Sequence, residues 1–491
     1  MGLYDESSAV GWRRLLVEPR RPDRIRSRPD AYRWAVGAVC IGAFMGQLDA
    51  SIVTQAFPAM ERSFHVGVAA VTWVGLSYLL VLVASVAAVG RFADMVGRKL
   101  LYVYGFILFV VGSALCALAP SLLVLIAFRC LQAVGAAMLQ ANSVAIIALA
   151  APAGRLGRSL GVQGAAQALG LAFGPTVGGL LLAVGSWPLI FLVNVPVGIV
   201  GVIAGLVWIP RSKDLQERVT FDWAGFALFF PAVVALLSVV SLGNSRGWTS
   251  PTIVGLGAAA VVLGALFVGR ERRYAHPMVD LGLFRLTRFA TGIAGAMLSF
   301  SVLFGVLVIV PFLLEDGYGL GPARAGLELM AMPLALGIVA PLAGRLADRV
   351  GTTPPAVMGT GLAALGLVGM GTLHPHGWGL VGLLAVVGIG LGLFVPPNNA
   401  GVMGAVPAAQ SGLASGVLNM ARGIGTAFGL ALTGAVFGHL AGDLHHPAQV
   451  IHAFAVTALV LAGLAVAAGL VAAAGPRRGR APGGGRRAPG G

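Results

Sequence analysis

Asp49 is an acid well inside an apolar run, and that setting has a definite chemistry. A charge at the centre of a membrane helix costs about 2.5–3.5 kcal/mol on insertion scales, so such a side chain faces a cavity or a partner. Desolvation favours the neutral carboxyl, which lets the group take up and release a proton near neutral pH. Asp49 is therefore the first candidate for proton coupling, with Glu328, near the outer end of its own apolar run, as the second. The competing reading is a structural aspartate hydrogen-bonded to nearby Ser51 or to a facing helix.

Other polar residues recur at helical spacing. Arg129, Gln132, Ala136, Gln140 and Ser143 follow one another at steps of three and four, so they share one helix face that points into a bundle. A buried Arg129 needs an anionic or carbonyl partner, for which Asp49 or a substrate would serve; pinning two helices together is the alternative. Gln163, Gln167, Gly170, Gly174 and Gly178 form a second stripe, with Pro175 and Gly179 beside it. Small residues let backbones approach closely and a proline loosens a helix, which suits an interface helix that seals and reopens. Close packing without movement fits the spacing equally. A third stripe is Asn419, Arg422, Thr426, Gly429 and Thr433, with Arg422 expected near a cytoplasmic end, where snorkelling would account for it. Asn398 and Asn399 follow Pro396-Pro397 and would line a cavity or cap a broken helix. The expected cavity set is thus Arg129, Gln132, Gln140, Gln163, Gln167, Asn398, Asn399 and Asn419.

The elements that hold these residues must be membrane spans. The 491 residues are 57% hydrophobic and 10% charged, against about 25% charged in a soluble protein, so no water-compatible surface can cover them. Apolar stretches of the spanning length, about 20 residues, recur along the chain. They predict fourteen spans near 34–57, 69–89, 100–119, 122–149, 160–184, 188–209, 222–242, 251–269, 289–314, 324–343, 354–373, 378–402, 414–438 and 450–474. The expected organisation is a basic tail (1–33), a six-helix bundle (34–209), a two-helix insertion with its linkers (210–288), a second six-helix bundle (289–474) and a disordered basic tail (475–491).

Net charge of +15 invites a nucleic-acid reading, but its distribution argues otherwise. Twenty-eight of the 33 Lys and Arg fall on one side of these spans, and only Arg62, Arg246 and Arg324 on the other. That asymmetry is the positive-inside pattern and places both termini in the cytoplasm. Basic tails beside spans need no partner beyond anionic lipid. Cys40, Cys116 and Cys130 lie within spans and read as packing residues. No removable signal peptide is expected, because the first apolar run is long enough to span. His374, His376, His445, His446 and His452 sit in or near outer loops without the Cys or carboxylate partners of a metal site, so no metal is expected. No catalytic nucleophile set is visible, which argues against a membrane-embedded enzyme.

The chain also repeats itself. Gly90-Arg91-Phe92-Ala93-Asp94-Met95-Val96-Gly97-Arg98-Lys99 returns as Gly344-Arg345-Leu346-Ala347-Asp348-Arg349-Val350-Gly351, and Gly170-Leu-Ala-Phe-Gly174 returns as Gly425-Thr-Ala-Phe-Gly429. Repeated halves with equivalent charged loops are a signature of secondary transporters, whose substrate path lies between the repeats.

These residues resemble the major facilitator superfamily, and within it the fourteen-span drug:proton antiporter branch (EmrB/QacA type), over roughly 34–474. Gly90 to Lys99 matches the loop motif between spans two and three. Leu125-x-x-x-Arg129-x-x-Gln132 followed by Gly135-Ala136-Ala137 matches the span-four motif, with Ala133 in place of the usual Gly. Gly170-x-x-x-Gly174-Pro175-x-x-Gly178-Gly179 matches the span-five motif associated with export. Leu48-Asp49-Ala-Ser-Ile52-Val53, ending at Pro58, resembles the span-one motif, and Trp73, Tyr78 and Asn194 also fit. Thr54-Gln55 departs from the usual Asn-Val, which bears on substrate range.

The resemblance implies an all-α fold of two six-helix bundles plus two central helices, working by alternating access. It implies that Asp94 sits at the N-terminus of the thirteenth span and Asp348 at that of the fifth, closing the cytoplasmic side. Gly90, Arg91, Gly97, Arg98 and Lys99 would complete the lock around Asp94, with Gly344 its counterpart beside Asp348. The implied function is proton-coupled export of hydrophobic, cationic or amphipathic compounds, driven by the proton gradient and needing no cofactor. Its partners would be the bilayer, small hydrophobic molecules and protons. A dedicated exporter of one endogenous metabolite or antibiotic is the alternative, and a transport-dead sensor a more remote one.

Overall fold

The computed structural model describes residues 18, 21–26, 28, 30–66, 68–71, 73–152, 154–212, 221–274, 277, 279–441 and 446–475. The expected disordered tail beyond 475, most of the basic tail before 31, and His445 lie outside them. Among the described residues no strand occurs, and fourteen spans are long and apolar enough to cross a bilayer. Helices follow from the solvent, since hydrocarbon offers no partner to a free backbone N–H or C=O and each span must satisfy its own.

In the N-terminal half the spanning helices are α1 (Ala31–Gln55), α2 (Trp73–Val96), α3 (Arg98–Ala117), α4 (Leu122–Ala150), α5 (Leu156–Val184) and α6 (Asn194–Trp208). The inserted pair is α7 (Trp223–Arg246) and α8 (Pro251–Glu271). The C-terminal half holds α9 (Thr287–Phe312), α10 (Ala331–Val350), α11 (Thr353–Leu373), α12 (Trp378–Met403), α13 (Ser411–Ala441) and α14 (Pro447–Ala474). The halves meet along α2 with α13 and α5 with α10, with further contacts of α4 on α13 and α5 on α12. The inserted pair packs on itself, and α7 lies against both α2 and α13.

Helix ends differ from the sequence expectation where it matters most. The repeated motif is not a loop. Helix α2 continues through Asp94 to Val96, and α10 continues through Asp348 to Val350. Only Gly97 (φ 124°) and Gly351 (φ 91°) break the chain, at a backbone conformation that other residues rarely adopt. Helices α5 and α13 begin a few residues earlier than their hydropathy suggests. The expected span 324–343 is a short helix, Pro322–Leu329, followed after Met330 by α10. Pro333, which has no N–H to give to the carbonyl one turn back, suits that interruption.

Two charged groups tie the cytoplasmic face together. Asp222 caps α7 by accepting from the Gly225 N–H (2.8 Å) and pairs with Arg270 at the end of α8 (2.7 Å). Burial pushes the Asp222 carboxyl up, but hydrogen bonds from Arg270 and Gly225 with the guanidinium charge outweigh it and hold the group below its ordinary value. Glu18, ahead of α1, is buried at the start of α3. Its carboxylate accepts from the Leu100 N–H (3.2 Å) and from the N–H (2.6 Å) and hydroxyl (2.8 Å) of Ser212.

Candidate functional site: a membrane-embedded cavity and its cytoplasmic seal

Asp49 lies at the centre of a buried polar cluster built from five helices. Its Oδ2 accepts from Arg129 Nη1 at 2.8 Å, and its Oδ1 accepts from Gln132 Nε2 at 3.0 Å and Asn194 Nδ2 at 2.8 Å. Arg129 also donates to Gln132 Oε1 (2.6 Å) and the Val74 carbonyl (3.2 Å), and Gln132 donates to Ser113 Oγ (2.7 Å). The guanidinium carbon stands 4.0 Å from the Tyr78 ring centroid, a cation–π geometry. Asp49 and Arg129 are 0% and 1% exposed, so this is a desolvated ion pair with nearly every lone pair used. Of the partners open to Arg129 from sequence, Asp49 is the one it meets. Ser51 instead bonds back to the Gln47 carbonyl on its own helix.

Arg129 separates this cluster from a cavity of about 730 Å³ between the halves. The wall includes Gln47, Trp73, Tyr78, Arg129, Gln140 and Gln167 from the N-terminal half, and Phe300, Phe304, Asn419, Arg422 and Thr426 from the C-terminal half. The inserted α7 contributes Val240, Leu242 and Arg246. Among the described lining residues there is no Asp or Glu. A cationic substrate, one of the classes that the resemblance implies beside amphipathic ones, finds no carboxylate on the described wall, and the nearby carboxylate of Asp49 is covered by Arg129.

Several residues expected at the cavity stand elsewhere. Gln132 lies behind Arg129, inside the Asp49 cluster. Gln163 is buried and absent from the wall. Asn398 cross-links α12 to the Gly292 carbonyl of α9 (2.9 Å) near the cytoplasmic end, and Asn399 is buried beside it. The expectation placed them by proximity to Pro396-Pro397, but α12 runs on through both prolines to Met403 and carries them below the cavity. Glu328 sits on the short outer helix against Arg324 at 3.5 Å and does not reach the cavity. Arg422 does not snorkel. With α13 starting at Ser411, Arg422 is three turns in, about 16 Å along the axis, and faces the cavity.

On the cytoplasmic side the halves are closed by two matching helix caps. Asp94 Oδ1 and Oδ2 accept from the Gly412 and Leu413 N–H groups at the start of α13, each at 2.9 Å. Asp348 Oδ1 and Oδ2 accept from the Gly157 and Arg158 N–H groups at the start of α5, at 2.8 and 2.9 Å. In both places a carboxylate meets orphan donors and the positive end of a helix dipole. Arg98 grips Asp94 with two bonds (2.6 and 2.9 Å) and reaches the Ala408 carbonyl across the seam (3.0 Å). Lys99 has another employment, donating to the Leu206 carbonyl in the last turn of α6 (2.8 Å). Arg91 is buried. Helices touch backbone to backbone here, since a Cβ on Gly90 would strike the Gly412 carbonyl and one on Gly344 the Gly157 carbonyl.

The span-five glycines pack closely, as their spacing suggests, but against their own half. Gly170 abuts the Phe44 carbonyl and Gly174 abuts Ser51, so both seat α5 on α1 within the same half. The contact of α5 with the other half runs through Gly157 and Gly161, on the backbone of α10. Gly178 is buried and Gly179 is exposed with open space around it. The Pro175 side chain lies outside the described residues.

The model of the Major Facilitator Superfamily matches residues 39–430 and 289–489. The chain belongs to the major facilitator superfamily. It is 38% identical over 402 residues to the multidrug resistance protein Stp of Mycobacterium tuberculosis, covering 81% of this chain and 74% of that one. It is 33% identical over 397 residues to the riboflavin transporter RibZ of Clostridioides difficile, covering 79% and 86%. Among solved structures, the human organic anion transporter MFSD10 (TETRAN) superposes with a TM-score of 0.65 at 15% identity, over 91% of this chain and all of that one, which is a likeness of fold.

As a major facilitator transporter, the chain also holds site residues that sequence reasoning passed over. Ser113 completes the Asp49 cluster, and Gln47, Phe300, Phe304 and Arg246 line the cavity. Phe300 and Phe304 lie one turn apart on α9, a signal indistinguishable from ordinary lipid-facing aromatics. Arg246, at the outer end of α7, reads as a loop charge until the insertion is seen to form part of the wall.

Proposed function

We propose that this transporter is a proton-coupled antiporter that exports hydrophobic, amphipathic compounds from the cytoplasm or inner leaflet by alternating access. The observation that carries the reading is the position of Arg129, paired with buried Asp49 on one side and forming the cavity wall on the other. Protonation of Asp49 removes the charge that holds the guanidinium, so proton binding and the polarity of the substrate cavity are linked through one side chain. The Asp94 and Asp348 caps serve as the cytoplasmic gate, made of contacts that can part without unfolding either half. One proton entering down about 100 mV gains about 2.3 kcal/mol, which sustains roughly a 50-fold gradient of a neutral substrate.

The aromatic wall (Trp73, Tyr78, Phe300 and Phe304) favours planar compounds. Likeness to a multidrug resistance protein supports a broad range, and likeness to a riboflavin transporter supports a second reading, a dedicated carrier of one planar metabolite. The test is uptake into everted vesicles of a panel spanning riboflavin, ethidium and neutral polycyclic compounds, with and without a protonophore. Gradient-driven uptake that Asp49→Asn loses, while retaining downhill exchange of the same compound, is the expected result. Undiminished gradient-driven uptake by Asp49→Asn would remove Asp49 from the coupling role. Transport of one compound alone would favour the dedicated carrier.

A further inference from the structure

The cavity holds two buried arginines in opposite circumstances. Arg129 has Asp49, Gln132 and a carbonyl as acceptors. Arg422 is equally deep, 4% exposed, yet its one acceptor is Asn419 Oδ1 at 3.0 Å. Among the described residues its Nε and Nη2 have no hydrogen-bond partner and no carboxylate pairs with it. The face of Phe300 lies 5.2 Å from the guanidinium carbon. A buried unpaired cation is costly, and a protein interior ordinarily supplies the missing acceptors.

The surroundings hold Arg422 in place without neutralising it. The Asn419 amide donates to the Gln140 carbonyl of α4 and to the Ser415 carbonyl, both at 2.9 Å, which turns its own oxygen toward Arg422. Arg246, exposed at the mouth, adds a third arginine to a wall with no Asp or Glu among its described residues. Arg422 lies three residues before Gly425-Thr-Ala-Phe-Gly429, and Gln167 three residues before Gly170-Leu-Ala-Phe-Gly174. The repeat thus places an amide and a guanidinium at matching positions on the two halves, and both line the cavity.

We propose that Arg422 anchors the substrate and that this cavity selects planar aromatic compounds bearing an anionic group, a carboxylate, phenolate or phosphate. The inference rests on the cavity being the transport site and supplies its charge class. The anionic group takes the two free donors of Arg422 while the ring system lies against Phe300, Phe304 and Tyr78. About 730 Å³ falls within the usual range for enclosing a drug-sized molecule.

The test is equilibrium binding, which needs no proton gradient and so stands or falls apart from the coupling mechanism. Calorimetric titration of the purified protein in nanodiscs, in chloride-free buffer, compares naphthoate, naphthamide and naphthylmethylammonium. Wild type is expected to bind the carboxylate roughly 10- to 100-fold more tightly than the amide, the range for hydrogen bonds to charged partners. Arg422→Gln is expected to erase that difference by weakening the carboxylate far more than the amide, and its melting temperature in the nanodisc reports whether the fold is intact. Arg422→Lys should keep part of the preference, and Arg246→Gln should keep most of it. Equal or tighter binding of the ammonium by wild type, no binding of the carboxylate, or a preference that survives Arg422→Gln would each overturn the assignment. If Arg422→Gln does not fold, the ranking of the three probes by wild type still decides it.

Discussion

Replacing Asp94 by Asn tests the cytoplasmic gate most directly. The Asp94 carboxylate accepts two hydrogen bonds from Arg98, on its own side of the seam, and two from Gly412 and Leu413 across it. The Arg98 pair joins residues one turn apart and persists whether the seam is open or shut, so its loss cancels between the two states. What differs is the pair of bonds to α13. Hydrogen bonds to a charged acceptor contribute about 1.5–3 kcal/mol each, and the helix dipole about 0.3–1 kcal/mol more. Water reclaims part of this for the open state, leaving a differential of about 2–4 kcal/mol. At about 1.4 kcal/mol per tenfold, the closed-to-open ratio should fall roughly 30- to 700-fold. Spin labels at Ala151 and Ala405, in a background without Cys40, Cys116 and Cys130, flank the seam and report its opening by electron–electron distance measurement. Asp94→Asn should broaden or lengthen that distance, and Asp348→Asn should do the same from the other cap. If both variants keep the wild-type distribution while transport fails, the caps do not set the conformational equilibrium and the reasoning is refuted.

Gly344→Ala should also open the seam and depress transport, because the added methyl meets the Gly157 carbonyl, whereas Gly361→Ala has open space and should be silent in the same distance and transport measurements. The Asp222–Arg270 pair predicts a pH dependence. Since the folded Asp222 carboxyl lies below its ordinary value, its contribution is complete above about pH 4 and is lost as pH falls through the lower, folded value. The gap in thermal stability between wild type and Asp222→Asn should therefore close on acidification; a gap that persists or widens would show that the pair is not the source. Asp49→Asn should show no gradient-driven uptake, and the downhill exchange it retains should be insensitive to a protonophore.

The fourteen spans were legible because hydropathy and the positive-inside pattern act at the scale of whole helices. The matching of Asp94 with α13 and Asp348 with α5 was legible only through the family resemblance, since nothing in the local sequence names the distant helix that each caps. Finer placement failed where helix ends were misjudged. Starting α13 at Ser411 moves Arg422 from an interfacial charge to the cavity wall, an error of one turn with a large electrostatic consequence. Asn398 and Asn399 were misplaced because paired prolines inside α12 suggested a break, yet the helix continues through them. The Gly170 and Gly174 stripe announced close packing correctly but not its partner, which is α1 and not the other half, as spacing alone cannot say which helix a small residue receives.

Glu18 gives the segment ahead of α1 a mechanical meaning. By holding the start of α3 and Ser212 at once, it stitches the N-terminal stretch, the α2–α3 turn and the strand of chain leading toward α7 into a single clasp. A shortened chain that starts at α1 would strip the acceptor from the Leu100 and Ser212 N–H groups, a capping loss of about 1 kcal/mol or somewhat more. That loss falls beside Arg98, whose N–H donates to Ser212 Oγ (2.9 Å) and whose guanidinium grips Asp94, so a tag or truncation placed there tugs on the gate itself. Reporters meant to leave the transport cycle undisturbed should be carried elsewhere on the molecule.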